Sequence, residues 1–237
     1  MSALFPLVVD GAVTRRRGKV LAGPVSLTLD GAGTVVVIGP NGSGKTSLLR
    51  LLHGTARLNE GQITWACGLT EARARQSFVF QRPVMLRRTV LENILYPLRL
   101  RGVAAGEARK EALIWAKRVG LSDAVDVPAT VLSGGEQQKL ALARALITAP
   151  DVVFLDEPCA SLDGRATREI EELLCEVRAA GTRLILATHD MGQARRLADT
   201  VLFLLHGRIH ELAPARAFFE RPQTAEAAAF LKGDIVE

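Results

Sequence analysis

The sequence predicts an α/β fold with a mostly parallel central sheet, on three observations. Short apolar runs at 35–38, 152–155 and 184–187 are nearly continuous rather than alternating, the pattern of strands covered on both faces. Helical patterns at 46–53, 164–179 and 191–198 lie between or after them, giving the alternation of a layered α/β domain. Between these core segments no strand pattern interrupts 89–147, where 89–100, 106–119 and 135–147 read as helices. We therefore expect a single domain, 1–237, in which 1–88 and 148–237 form the core and 89–147 is an inserted helical subdomain.

Bulk properties narrow the classes of function. The chain has 237 residues, 48% hydrophobic and 23% charged, the balance of an ordinary globular protein long enough for one substantial core. No stretch approaches the roughly 18 consecutive apolar residues that a bilayer span requires, and residues 1–10 lack the basic leader and cleavage pattern of a secretory signal. A cytoplasmic location is expected. Cys67, Cys159 and Cys175 are widely spaced, with no CxxC pair, which supports neither a disulfide framework nor a zinc site. The net charge of +5 comes from scattered basic residues, with one tight cluster at Arg15-Arg16-Arg17, so no nucleic-acid partner is expected. Near the end, 200–205 and 208–212 flank His206-Gly207 like a hairpin, and 214–219 reads as a short helix.

The strongest chemical signal is Gly39-Pro40-Asn41-Gly42-Ser43-Gly44-Lys45-Thr46, which matches GxxxxGK[ST] and sits between an apolar strand and a helical stretch. Phosphate oxygens need closely spaced donors. Glycines let successive backbone N–H groups turn inward, and the following helix presents its positive end. Lys45 can then reach the outer phosphates, and the Thr46 hydroxyl can join the shell of a Mg²⁺ ion bridging two of them.

Two carboxylates follow the second buried run, at Asp156-Glu157-Pro158. That is the carboxyl end of a strand, where open α/β sheets bind ligands. Asp156, still at the strand end, suits the Mg²⁺ shell. Glu157, one residue further, suits polarisation of an attacking water and is the candidate base. Carboxylates also open turns before proline, and it is the phosphate cradle elsewhere in the chain that favours the catalytic role.

A further helix start, Leu132-Ser133-Gly134-Gly135-Glu136-Gln137-Gln138, has a structural explanation in part: Ser133 and Glu136 have the spacing of a capping box. Capping does not explain the glycines, each of which costs up to about 1 kcal/mol against alanine in a helix. They suit the close approach of an anion, and one nucleotide with two phosphate-binding helix starts suggests a nucleotide held by a second copy.

With these stretches together, the chain resembles the nucleotide-binding subunits of ABC transporters over nearly its whole length. The resemblance implies a RecA-like P-loop NTPase core, an antiparallel β part at the N-terminus, and a head-to-tail dimer with two ATP molecules sandwiched between subunits. Ser47 would close the nucleotide-binding set. Ser133, Gly134, Gly135, Glu136 and Gln137 would form the signature motif that meets the partner's ATP. Gln81, after Phe78-Val79-Phe80, resembles the nucleotide-sensing glutamine and a metal ligand; Ser161 and Asp163 resemble the loop that crosses the dimer interface; His189 resembles the switch histidine. A lone histidine would ordinarily be only a satisfied polar residue. The chain departs from the family where an adenine-stacking aromatic is usual, since Arg17 precedes Gly18. An Arg guanidinium can itself lie on a base, so Arg17 is the candidate there.

The family implies ATP and Mg²⁺ as cofactors, and as partners a second copy, membrane permease subunits and a solute-binding protein, with the chain peripheral at the cytoplasmic face. The residues 79–83, Leu86, Thr89-Val90 and the tail 230–236 resemble importers of tungstate and related oxyanions. Exporter or lipoprotein-release ATPases are the alternative, as is a soluble ATPase acting on DNA or ribosomes. The last would typically need a coiled-coil insertion or a second nucleotide-binding half, and neither is visible in the sequence.

Overall fold

The computed structural model describes residues 3–31, 33–160, 162–234 and 236. In chain order the elements are β1 (Leu7–Arg16), β2 (Lys19–Leu29), β3 (Thr34–Ile38), α1 (Lys45–His53), β4 (Glu60–Trp65), α2 (Leu69–Ala74), β5 (Gln76–Val79), α3 (Val90–Leu100), α4 (Ala105–Arg118), α5 (Gly134–Leu146), β6 (Val152–Asp156), α6 (Gly164–Ala179), β7 (Arg183–Ala187), α7 (Met191–Leu197), β8 (Thr200–Leu205), β9 (Arg208–Pro214), α8 (Ala215–Glu220) and α9 (Ala225–Lys232). They cluster into two compact units, one made of Met1–Gln76, Phe154–Glu157 and Arg183–Glu237, the other of Ser77–Val153 and Pro158–Thr182.

In the first unit, β3 lies between β7 and β8 and runs parallel to both. The strand order there is β6-β7-β3-β8-β9. Every residue of β3, β6 and β7 is buried, which is why their apolar runs do not alternate. β9 closes this sheet antiparallel to β8 through His206-Gly207, both at positive φ (50° and 76°), as the inferred hairpin requires. A separate three-stranded antiparallel sheet, order β2-β1-β4, forms the N-terminal part. The α/β class, the mostly parallel sheet and the antiparallel N-terminal part are as expected. Val37 pairs with Ala187 and Ile38 with Phe203. The chain segments leaving β3 and β7 therefore emerge at one edge of the sheet, and the Glu157 N–H, just past β6, donates to the Ala187 carbonyl there at 2.9 Å.

The second unit is mainly helical, with α3 packed on both α4 and α5. Capping boxes start two of its helices: Thr89 with Glu92 on α3 and Ser133 with Glu136 on α5. Asn93 is fully buried. Its Oδ1 accepts from the Leu86 N–H and from Arg144, while its Nδ2 faces the carbonyls of Leu86, Arg88 and Thr89. Paired in this way, the buried amide avoids the cost of an unsatisfied polar group. This unit reaches from Ser77 and includes α6. α6 reads in the sequence as an ordinary amphipathic helix, and it joins α5 through the Lys139–Glu169 ion pair.

His53 ends α1 with its ring edge-on to Phe154, centroids 5.4 Å apart. Burial, helped by the charge of Arg73, pulls its pKa down to about 4. The unfolded chain takes up this proton near pH 6.5 and the folded chain only near pH 4, so stability is complete above the former and is lost as pH falls toward the latter. Between pH 7.5 and pH 5 this group should remove about 2 kcal/mol of unfolding free energy. Urea denaturation across that range should show a shallower decline for His53→Leu than for the unmodified chain, and equal slopes would exclude the assignment.

Candidate active site

The P-loop leaves β3 at a place with no room for a side chain. A Cβ on Gly39 would stand 2.1 Å from the Leu204 carbonyl oxygen, and one on Gly44 2.6 Å from the Leu21 carbonyl oxygen. Between them the backbone curls so that the Ser43 N–H returns to the Pro40 carbonyl at 3.1 Å. Its following residues begin α1, and the free N–H groups of that first turn point back into the loop. Lys45 is buried and donates from Nζ to the carbonyls of Gly39 (2.9 Å) and Pro40 (3.1 Å). Burial lowers its pKa, against the opposing pull of Glu157 and then Asp156. Asn41 and Gly42 are exposed, and Ser47 is half-buried in the first turn of α1.

Asp156, at the end of β6, accepts a hydrogen bond from the Thr46 hydroxyl at 2.9 Å. Desolvation raises its pKa, partly countered by the Thr46 hydrogen bond and by Arg50. The two oxygens expected in one Mg²⁺ shell are thus side by side. Among the described residues the buried Ser43 hydroxyl finds no partner, an unmet polar group in the glycine-rich loop. The residues fit ATP and Mg²⁺: two protein oxygens for the metal, backbone donors and a lysine for phosphates.

Glu157 stands at the strand mouth with φ 48°, a left-handed conformation that costs a non-glycine residue energy and is concentrated at functional sites. Its Oε2 lies 3.0 Å from His189 Nδ1, with the glutamate side chain 13% exposed and the histidine 57%. The carboxylate is sheltered and the imidazole stands at the opening. His189 follows β7, and the next residue, Asp190, caps α7 by accepting from the Gln193 N–H at 3.0 Å. In this unit, then, the structure brings together the 39–46 loop, Asp156, Glu157 and His189. Arg17 sits at the tip of the β1–β2 turn, exposed, with φ 50°.

The other sequence-derived positions lie in the second unit. Gln81 follows β5 and Phe80, at the surface. Ser133 and Gly134 are exposed at the start of α5, and Gly135, Glu136 and Gln137 are half-buried. The Ser133 hydroxyl and N–H both reach Glu136 Oε2, at 2.6 and 2.8 Å, and Gln137 Nε2 donates to the Leu132 carbonyl at 2.9 Å. Gly134 has no neighbour that a Cβ would strike and neither it nor Gly135 has positive φ, so local backbone geometry does not demand either glycine. Asp163 caps α6, accepting from the Ala166 N–H at 2.7 Å. Ser161 lies outside the described residues. Two residues that sequence reasoning passed over are Gly61 and Arg50: a Cβ on Gly61 would strike the backbone of Gly11 at 2.3 Å, and the charge of Arg50 acts on Asp156. A helix-surface arginine carries no local signal of that proximity.

Among the described residues no helix is long and apolar enough to cross a membrane. The chain matches the model of the ABC transporter family over residues 22–160. It is 39% identical to the phosphate import ATP-binding protein PstB 2 of Natronomonas pharaonis, over 97% of this chain and 87% of that protein. It is 38% identical to the tungstate uptake system ATP-binding protein TupC of Peptoclostridium acidaminophilum, over 78% of this chain and 88% of that one. Among solved structures it superposes on a dimeric post-hydrolysis state of the ATP-binding cassette MJ0796 bound to ADP and Pi, with TM-score 0.80 and 27% identity, covering 89% of this chain and 99% of the other. Family match and near-complete relatives agree with the cradle and its carboxylates: the chain belongs to the ABC transporter family and is an ATPase that uses ATP with Mg²⁺.

Proposed function

We propose that this chain is the ATP-binding subunit of an importer of a small oxyanion. It works as a head-to-tail dimer at the cytoplasmic face of the membrane, against permease subunits and with a solute-binding protein in the complex. In this reading 1–237 is one ATPase domain, with 89–147 its helical insertion. The observation that carries the catalytic half is the pairing of Thr46 with Asp156 (2.9 Å) beside that of Glu157 with His189 (3.0 Å). The oxyanion half rests on relatives whose names specify phosphate and tungstate.

Mg²⁺, when bound, would neutralise phosphate charge, held through Thr46 and Asp156. The chain's own residues do the rest. Lys45 exchanges its carbonyl partners for phosphate oxygens, Ser43 adds its hydroxyl from the loop and Ser47 adds one from the first turn of α1. Thr46 and Asp156 hold the metal shell, and Arg17 lies on the base. Glu157 takes the proton of the attacking water as its oxygen bonds to the terminal phosphorus and the bond to the bridging oxygen breaks. His189, held by Glu157, orients that water. Gln81 keeps the nucleotide-sensing role. Ser133 and Gly135 of the partner copy meet the terminal phosphate, with Gly134, Glu136 and Gln137 completing the signature motif and Ser161 and Asp163 at the crossing loop.

Glu157→Gln should lower ATP turnover by about 10² to 10⁴, the usual worth of a general base, with ATP binding retained. Steady-state phosphate release beside equilibrium binding of a fluorescent ATP checks this, and normal turnover would exclude Glu157. Lys45→Ala should instead weaken binding itself, because a charge-assisted phosphate contact is lost. Uptake of labelled phosphate, tungstate and glutamine by source cells lacking this chain tests the substrate class. Loss confined to an oxyanion supports the reading, and loss confined to glutamine overturns it.

A further inference from the structure

The start of α5 is closed upon itself in the lone chain. Ser133 has one hydroxyl hydrogen, and with an ionised carboxylate 2.6 Å away it is given to Glu136 Oε2. The same hydroxyl accepts from the Glu136 N–H at 3.3 Å. Its hydrogen bond is also what chiefly holds the Glu136 carboxyl below the usual carboxylate range, so the negative charge persists at neutral pH. Lys139, one turn further along α5, offsets part of that charge. It is itself held by Glu169 of α6, which also binds Arg165 at 3.0 Å.

A carboxylate suits the first turn of a helix left to itself, where it meets the positive end of the dipole. It is a poor neighbour for a triphosphate, since like charges repel and the Ser133 hydroxyl hydrogen is already committed. Gly134, with open space where its Cβ would be, leaves the same turn accessible to that anion.

We propose that Glu136 is a latch on the signature helix. It holds the Ser133 hydroxyl in the free subunit and must release it before the partner's terminal phosphate can be met, with Lys139 setting the strength of the opposing charge. Glu136 and Lys139 are thus positioning residues acting through Ser133, and the latch raises the ATP concentration at which two copies close. This rests on the proposed docking of Ser133 on the partner's nucleotide.

The test is sedimentation velocity of Glu157→Gln protein titrated with Mg²⁺ and ATP, reading the ATP concentration at half-dimerisation. Adding Glu136→Gln keeps both cap hydrogen bonds possible and removes the charge, so the midpoint should fall, by about two- to tenfold at low salt and less at high salt. Adding Lys139→Gln should raise it by a similar factor. Loss of helix integrity alone would move both variants upward, so opposite signs are the signature of the latch. ATP binding by the monomer should be the same in all three proteins. If the parent dimerises with ATP, Ser133→Ala abolishes this, and Glu136→Gln shifts the midpoint upward or not at all, the latch is wrong and the docking stands. If neither the parent nor any variant dimerises, or Ser133→Ala makes no difference, the docking itself is wrong.

Discussion

The close passage of Gly39 against Leu204 is the constraint on which the site depends. With 2.1 Å between the Leu204 oxygen and a Cβ on Gly39, relief would require β3 and β8 to part. They are pinned by the ladder that pairs Ile38 with Phe203. The loop therefore has a fixed point of departure. Its first carbonyls end up where Lys45 can bind them, and α1 starts where its free N–H groups face the loop. The carboxylates are placed by the same sheet: β6 delivers Asp156 to Thr46, and the Glu157 N–H is tied to β7. A shift of β3 would disturb every one of these relationships at once.

Electrostatics makes that geometry usable. Lys45 and Asp156 are both buried, and in both the loss of water disfavours the charged form. Buried charges of opposite sign hold one another in place, yet each is less well solvated than at the surface. A polyanion with a divalent cation brings the complementary charges to this place, so binding relieves a cost that folding imposed. The Ser43 hydroxyl, unpartnered among the described residues, belongs to the same logic: it is polar capacity left unspent in the loop that carries the phosphate-binding motif.

Much of this was legible in the sequence, and the legible parts share a cause. Strands 35–38, 152–155 and 184–187 announce themselves because burial on both faces removes alternation, and structure places β3, β6 and β7 there. The cradle and the Asp156-Glu157 pair are legible because each role demands a narrow residue type at a fixed spacing. The N-terminal strands were not delimited from the residues. β1 changes register between Val9 and Ala12, between Ala12 and Thr14, and between Thr14 and Arg15, which breaks the two-residue period that pattern reading needs. The positive φ of Glu157 and the approach of Arg50 to Asp156 were invisible for another reason: both arise from tertiary placement, with no trace in the neighbouring sequence.

The two units differ in how complete they are. The first brings together the glycine-rich loop, the Thr46–Asp156 oxygen pair and a sheltered carboxylate with its histidine. The second presents α5 with its serine already satisfied by Glu136 and two glycines that its backbone geometry does not require. A serine whose hydroxyl is internally occupied gains little from a weak ligand. Only an anion bearing several charges, presented by a surface that buries it, outweighs the bonds that must be given up. On the proposed docking, the terminal phosphate is the group that would compete with Glu136 for the Ser133 hydroxyl, so the pairing that stabilises the free helix would separate a full triphosphate from the diphosphate left after cleavage. Discrimination of that kind would tie the association of two copies to the chemical state of the nucleotide, through one hydrogen bond at the start of one helix.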